Sequence, residues 1–289
     1  MTEFTKRTLS GAVYVGCIVG SILWSKWAFA GLLLPICLLA VDEFHRLVKS
    51  PVTLRVCAAL ATLVLWLMCS ILAGKPGDGE GLRGIGISLI LAYLPIIVVG
   101  LLDEIWNHSE RPLQNWGDML ISQIMIAIPL LNLLFLMSLD NRLLLALFVL
   151  IWVNDSGAYI VGSLTAKRPQ GNHKMTPHIS PKKSWEGLAG GVGFALIAVV
   201  ILYLCGWFEV MGSGLKSFIF ALIFAAFVAL FGTMGDLMES LMKRSLGIKD
   251  SGVFLPGHGG VLDRFDSILL ASPIVTAFCW LCYFILPLL

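Results

Sequence analysis

Charge is scarce in this chain. Asp, Glu, Lys and Arg make up only 13% of its 289 residues, roughly half the share of an ordinary soluble domain. That shortage excludes a conventional water-facing globule. Neither sign is in clear excess: twenty Lys and Arg against eighteen Asp and Glu leave +2, which carries no implication of nucleic-acid binding. Internal repeats, low-complexity tracts and linkers are absent too. The seven cysteines (Cys17, Cys37, Cys57, Cys69, Cys205, Cys279, Cys282) all lie in or beside apolar runs, which argues against disulfide staples. Cys279-Trp-Leu-Cys282 has a redox spacing but sits inside the last apolar run, where it reads as filler. No Ser–His or Cys–His pair offers itself as nucleophile and base.

What is abundant is apolar sequence. The chain is 58% hydrophobic, with a mean hydropathy of +0.89. A membrane-spanning helix needs about 20 mainly apolar residues, and the expected spans are 9–25, 27–41, 54–73, 85–102, 118–137, 142–165, 187–206, 216–235 and 264–286. The expected fold is therefore all-α, a polytopic integral membrane bundle of about nine transmembrane helices in the lipid bilayer. We read it as one integral domain, 1–289. Residues 1–141 would be mainly scaffold and 142–289 would carry the site. Of the twenty Lys and Arg, only Lys26, Lys75, Arg83, Arg142 and Lys216 fall on the side opposite the N-terminus. The positive-inside rule then makes the N-terminal side cytoplasmic. Short tails without a transit-like leader favour a bacterial inner membrane.

The polar residues are concentrated late in the chain. Asp155, in Asn154-Asp155-Ser156-Gly157-Ala158-Tyr159, lies deep in the sixth span, where an ionisable group is costly and points to function. The longest basic loop ends in Ser180-Pro181-Lys182-Lys183-Ser184-Trp185-Glu186-Gly187. Ser184 suits the cap of the seventh helix, whose N-terminus beside two lysines is a natural phosphate site. On their own, Lys182 and Lys183 read as ordinary positive-inside residues. Gly187, Gly190, Gly191 and Gly193 suggest close helix packing. Asp236, Glu239, Ser240 and Lys243 stand at i, i+3, i+4 and i+7, a polar stripe on one helix face. His45 and His108 are isolated and read as surface or interfacial residues, and His173 and His178 show no metal-ligand pattern.

The densest chemistry is Ser240–Asp266, SLMKRSLGIKDSGVFLPGHGGVLDRFD. Its glycines let backbone approach a ligand. Lys243, Arg244, Lys249 and Arg264 suit a polyanion, and Asp250, Asp263 and Asp266 suit a hard divalent cation. The sequence allows Asp236 and Asp263 to meet across this loop. Together the residues point to a metal-bound phosphate ester or nucleotide at the cytoplasmic mouth of a bundle, hence to phosphoryl or nucleotidyl transfer onto a lipid.

The pattern Ser-x-x-Lys-Arg, four residues, Lys-Asp, then His-Gly-Gly-x-x-Asp-Arg-x-Asp resembles the signature of the CDP-diacylglycerol synthases (phosphatidate cytidylyltransferases). Here it is filled by Ser240, Lys243, Arg244, Lys249, Asp250, His258, Gly259, Gly260, Asp263, Arg264 and Asp266. SPKKSWEG and the Asp155 segment match two further family motifs. The resemblance implies CTP and phosphatidate as substrates, with Mg²⁺ assisting. It implies Asp236 and Asp263 as metal anchors, acting with Lys182, Lys183 and Arg264 in catalysis. Asp155, Ser180, Glu186, Glu239, Ser240, Lys243, Arg244, Lys249, Asp250, His258, Gly259, Gly260 and Asp266 would contact substrate, with Glu239, Asp155 and Asp266 the next candidates for the metal. Oligomeric state stays open, a homodimer being the form to test. Two alternatives also stay open. One is a CTP-dependent transferase or kinase acting on another lipid, which the products distinguish. The other is a secondary transporter, which internal symmetry of the spans or CTP-independent flux would favour.

Overall fold

The computed structural model describes residues 3–73, 92–103, 105–106, 110–252 and 259–285. Among these the chain is helical apart from one short hairpin, as an all-α polytopic membrane protein requires. Among the described residues seven helices are long and apolar enough to cross a bilayer, and two shorter apolar helices, Leu9–Trp24 and Ala92–Asp103, fall at the other two expected spans. The chain divides into two compact units, Met1–Ser138 with Asp250–Phe265, and Leu139–Lys249 with Asp266–Leu289.

The first unit contains α1 (Glu3–Trp24), α2 (Lys26–Leu47), α3 (Val52–Leu72), α4 (Ala92–Asp103) and α5 (Pro112–Leu139). Ser25 caps α2 by accepting the Ala28 N–H at 3.1 Å. The helix runs past its apolar stretch because Asp42 is held by Arg46 one turn on (2.6 Å) and by Arg55 of α3 (2.5 Å). His45, expected at the surface, is instead fully buried, its Nδ1 2.8 Å from the Ser50 hydroxyl. The turn between α2 and α3 folds back over it, and local sequence gives no sign of that. Trp66 of α3 donates to the Ala30 carbonyl of α2 at 2.8 Å. A π turn at Ser122–Ala127 widens α5. Within it the buried Gln123 amide donates to Ala58 O and to Thr62 Oγ1, both at 3.3 Å, so this polar group is satisfied inside an apolar helix pair.

The second unit begins with α6 (Asn141–Thr165), capped by Asp140, which accepts the Arg142 N–H at 2.7 Å. The basic loop is not merely a loop: β1 (Lys174–Thr176) and β2 (Ser180–Ser184) pair antiparallel, Lys174 opposite Ser184 and Thr176 opposite Ser180. α7 (Trp185–Leu204) follows β2 directly, α8 runs for 31 residues (Leu215–Ser245), and α9 (Leu262–Trp280), which belongs to this unit from Asp266 onward, is followed by a π turn at Leu281–Ile285. The glycine stripe does pack α7 onto α6. A Cβ on Gly191 would stand 2.5 Å from Asn154 Oδ1, and one on Gly187 3.1 Å from the Ala158 carbonyl, whereas Gly193 faces open space. Gly235 of α8 likewise lies against the Asp266 carbonyl of α9, which a Cβ would approach to 2.6 Å. The far end of this unit is aromatic, with Phe208, Phe220, Phe224, Phe227 and Phe278 in mutual ring contact.

Candidate active site

The second unit holds a cavity of about 340 Å³ lined by Asp155 and Tyr159 of α6, Lys182 to Ser184 of β2, Gly187 of α7, and Thr233 and Asp236 of α8. Its size suits a small-molecule site. Each wall has a local cause. Pro181 and the pairing with β1 keep SPKKS extended, so Lys182 and Lys183 are delivered together at the cavity edge. Ser184 ends the strand and caps α7, accepting the Gly187 N–H at 3.1 Å, as its place in the sequence suggests. The start of α7 therefore opens into the cavity with its positive dipole end.

Lys183 Nζ is 2.6 Å from Asp236 Oδ2 and donates to the Thr233 carbonyl at 3.4 Å. The second oxygen of Asp236 accepts from Ser240 Oγ at 3.3 Å. The stripe read from the sequence is real: Glu239, 2% exposed, pairs with Lys243 one turn on at 2.5 Å. Asp155 is exposed into the cavity and accepts from Asn154 Nδ2 at 3.4 Å. Asp266 lies within electrostatic reach of Asp236, Glu239 and Asp155 and takes the Ser267 N–H on Oδ1 at 2.6 Å. This part of the unit is thus acidic, with Lys183 the cation set against Asp236.

Other expected residues are placed differently. Glu186 turns toward the hairpin, accepting the His173 N–H at 3.0 Å and standing 2.6 Å from His173 Nδ1. That gives His173, which the sequence left without a role, a structural one. Arg244 donates to the carbonyls of Ile179 (3.2 Å) and Ile248 (2.9 Å), joining the end of α8 to the hairpin turn. Ser180 closes the hairpin opposite Thr176, and Lys249 and Asp250 are exposed.

Asp263 belongs to the first unit. Its Oδ2 accepts the N–H groups of Ser251 (3.0 Å) and Gly260 (2.8 Å). Gly259 has φ +77 and packs against that carboxylate, so a side chain there would meet both strain and a collision. The Arg264 carbonyl accepts from Tyr14 Oη at 3.3 Å, and the Arg264 Nε is buried without a hydrogen-bond partner. His258 lies outside the described residues, as does His108. Sequence reasoning missed Thr233 and Asn154, whose side chains join α8 to α6 (3.4 Å) beside the cavity. Thr233 was within reach of that reasoning, because it stands three residues before Asp236 on the same face.

Comparison with known sequences matches this chain to the cytidylyltransferase family over residues 5–282. The phosphatidate cytidylyltransferase of Bacillus subtilis is 30% identical over 291 residues, covering 100% of this chain and 99% of that protein. The protein of the same name from Rickettsia prowazekii is 40% identical over 188 residues, 64% of this chain and 79% of its own. That of Pseudomonas aeruginosa is 42% identical over 142 residues, 49% of each.

Proposed function

The chain belongs to the cytidylyltransferase family, and from that premise we propose that it transfers the cytidylyl group of CTP to phosphatidate. An oxygen of the phosphatidate phosphate attacks the α-phosphorus of CTP. The bond from that phosphorus to the bridging oxygen breaks, and pyrophosphate leaves with the electron pair, giving CDP-diacylglycerol. A phosphate monoester is already a nucleophile, so no activating base is needed. Catalysis of this kind rests on positioning and charge neutralisation.

The observation that carries the reading is the Lys183–Asp236 pair, with Lys182, Asp155 and the α7 N-terminus around one cavity. Lys182 and Lys183 would hold phosphate oxygens, aided by the α7 backbone N–H groups. Lys243, Lys249 and Arg264 would supply further positive charge for either substrate, with Arg244 anchoring the hairpin that bears the lysines.

The carboxylates also fit a divalent cation. Among the described residues no three metal-ligating side chains form a closed cage. Mg²⁺ does not require one, since it keeps several waters and binds through one or two carboxylates plus substrate phosphates. The carboxylates of Asp155, Asp236 and Asp266 are hard oxygen ligands of the kind such an ion takes. Asp236 would be its anchor in the second unit, with Asp155, Asp266 and Glu239 as further candidates there, and Asp263 is the carboxylate that the resemblance names in the first unit. When bound, the cation supplies Lewis-acid neutralisation of phosphate charge. The reading further includes a bacterial inner membrane, in keeping with the bacterial relatives, and a cytoplasmic N-terminus and a cytoplasmic opening, which the distribution of Lys and Arg supports. A homodimer is also included, to be read from the mass of the detergent-purified protein.

The test is a product assay with α-labelled CTP, phosphatidate and Mg²⁺. Label is expected in the lipid phase with equimolar pyrophosphate, and none after EDTA. Release of CDP would instead indicate a lipid kinase. No CTP consumption with any lipid phosphate would overturn the reading.

A further inference from the structure

The scaffold half of the chain carries one carboxylate aimed at the signature loop. Glu43 of α2 accepts the Val261 N–H on Oε2 at 2.8 Å, 218 residues away in sequence. Gly252 and Gly260 lie so close to this carboxylate that a Cβ on either would press against it. Glu43 Oε1 and Ser251 Oγ are both buried, have no hydrogen-bond partner, and crowd the same point beside Gly260. Asp263 binds the same segment through the N–H groups of Ser251 and Gly260. Two carboxylates therefore clasp both ends of the loop, at 251–252 and 260–261. The geometry also resembles an N-cap. α9 starts at Leu262, Val261 has no side-chain oxygen with which to cap it, and Glu43 supplies an anionic acceptor from another helix.

We propose that Glu43 is a positioning residue for the transfer reaction, fixing the loop neck and the start of α9 and thereby the placement of Gly260, Asp263 and Arg264. This rests on the cytidylyltransferase reading for its kinetic consequence, although the clasp itself does not. Gln at this position keeps an acceptor for Val261 and gains a donor for Ser251 Oγ. Asp keeps the charge but is one methylene too short, and Ala removes the contact.

The experiment compares the full-length protein with Glu43→Gln, Glu43→Asp and Glu43→Ala in detergent. Hydrogen exchange is followed on peptides covering Val261, together with KM for CTP, KM for phosphatidate and kcat. Loss of a hydrogen bond to a charged acceptor is expected to speed exchange by about 10- to 100-fold in Glu43→Ala and Glu43→Asp. Glu43→Gln should stay within about 5-fold of the parent, the loss of a helix-terminus charge alone. In the first two variants KM should rise for the substrate whose phosphates Arg264 holds while the other KM stays unchanged, whereas a smaller folded fraction would lower only apparent kcat. Unchanged Val261 exchange in Glu43→Ala and Glu43→Asp would overturn the proposal. So would a Gln variant as impaired as Ala. If Glu43→Ala does not fold, the Asp and Gln pair decides alone. A parent protein without CTP-dependent transfer would sink the functional reading and leave the exchange result to judge the clasp.

Discussion

Replacing Lys183 by Met removes the cation that faces Asp236 and leaves the carboxylates around it uncompensated. The direct attraction at 2.6 Å is about 6 kcal/mol at an effective dielectric constant of ~20 and about 1.6 kcal/mol in bulk water. What survives desolvation is smaller. Removing one partner of a fully buried pair costs about 3–5 kcal/mol, and exposed pairs are worth about 0–1 kcal/mol. The Lys183 and Asp236 side chains are 21% and 32% exposed, between these limits, so a loss of about 2 kcal/mol is expected. At about 2–4 °C per kcal/mol for a chain of this general size, the apparent melting temperature should fall by about 4–8 °C. The nine tryptophans supply an intrinsic fluorescence signal for the melt in detergent.

Mg²⁺ makes the experiment discriminating. In Lys183→Met the Asp236 carboxylate, freed of the competing ammonium and set beside Asp155 and Asp266, should bind the ion more tightly than in the parent. By linkage, an ion at 100 times its Kd stabilises by about 2.7 kcal/mol, enough to recover most of the deficit. Saturating Mg²⁺ should therefore raise the melting temperature of Lys183→Met more than that of the parent. Adding Asp236→Asn to the variant should abolish the extra rise. The reasoning is refuted if Lys183→Met melts within about 0.5 kcal/mol of the parent, as an ordinary surface substitution would. It is equally refuted if Mg²⁺ shifts both proteins alike.

Three further outcomes test the frame of the cavity. Ser184→Ala should cost about 1 kcal/mol, the worth of an N-cap, read from the same melt, and Ser184→Asp should restore most of it. Gly191→Ala should destabilise by about 1–3 kcal/mol, the range for overpacking, because the new methyl meets the Asn154 carbonyl as well as its side chain. Gly193→Ala, with open space around it, should be neutral or slightly stabilising as a better helix former.

The sequence by itself determined the class of the molecule and much of its local structure. Long apolar runs leave a membrane helix as the only conformation that satisfies the backbone, so every expected span except the partly undescribed 85–102 overlaps a long described helix. Spacings of three, four and seven placed Asp236, Glu239, Ser240 and Lys243 on one face, and helix-start chemistry placed the Ser184 cap, because these are contacts within a turn or two of chain. Tertiary structure decided which charges face each other. Lys183 meets Asp236 across 53 positions, Glu43 meets Val261 across 218, and His45 is buried by a turn that local pattern does not encode. Such partnerships depend on how helices pack. In an apolar bundle a polar group takes whichever partner packing brings near, since water is not there to satisfy it.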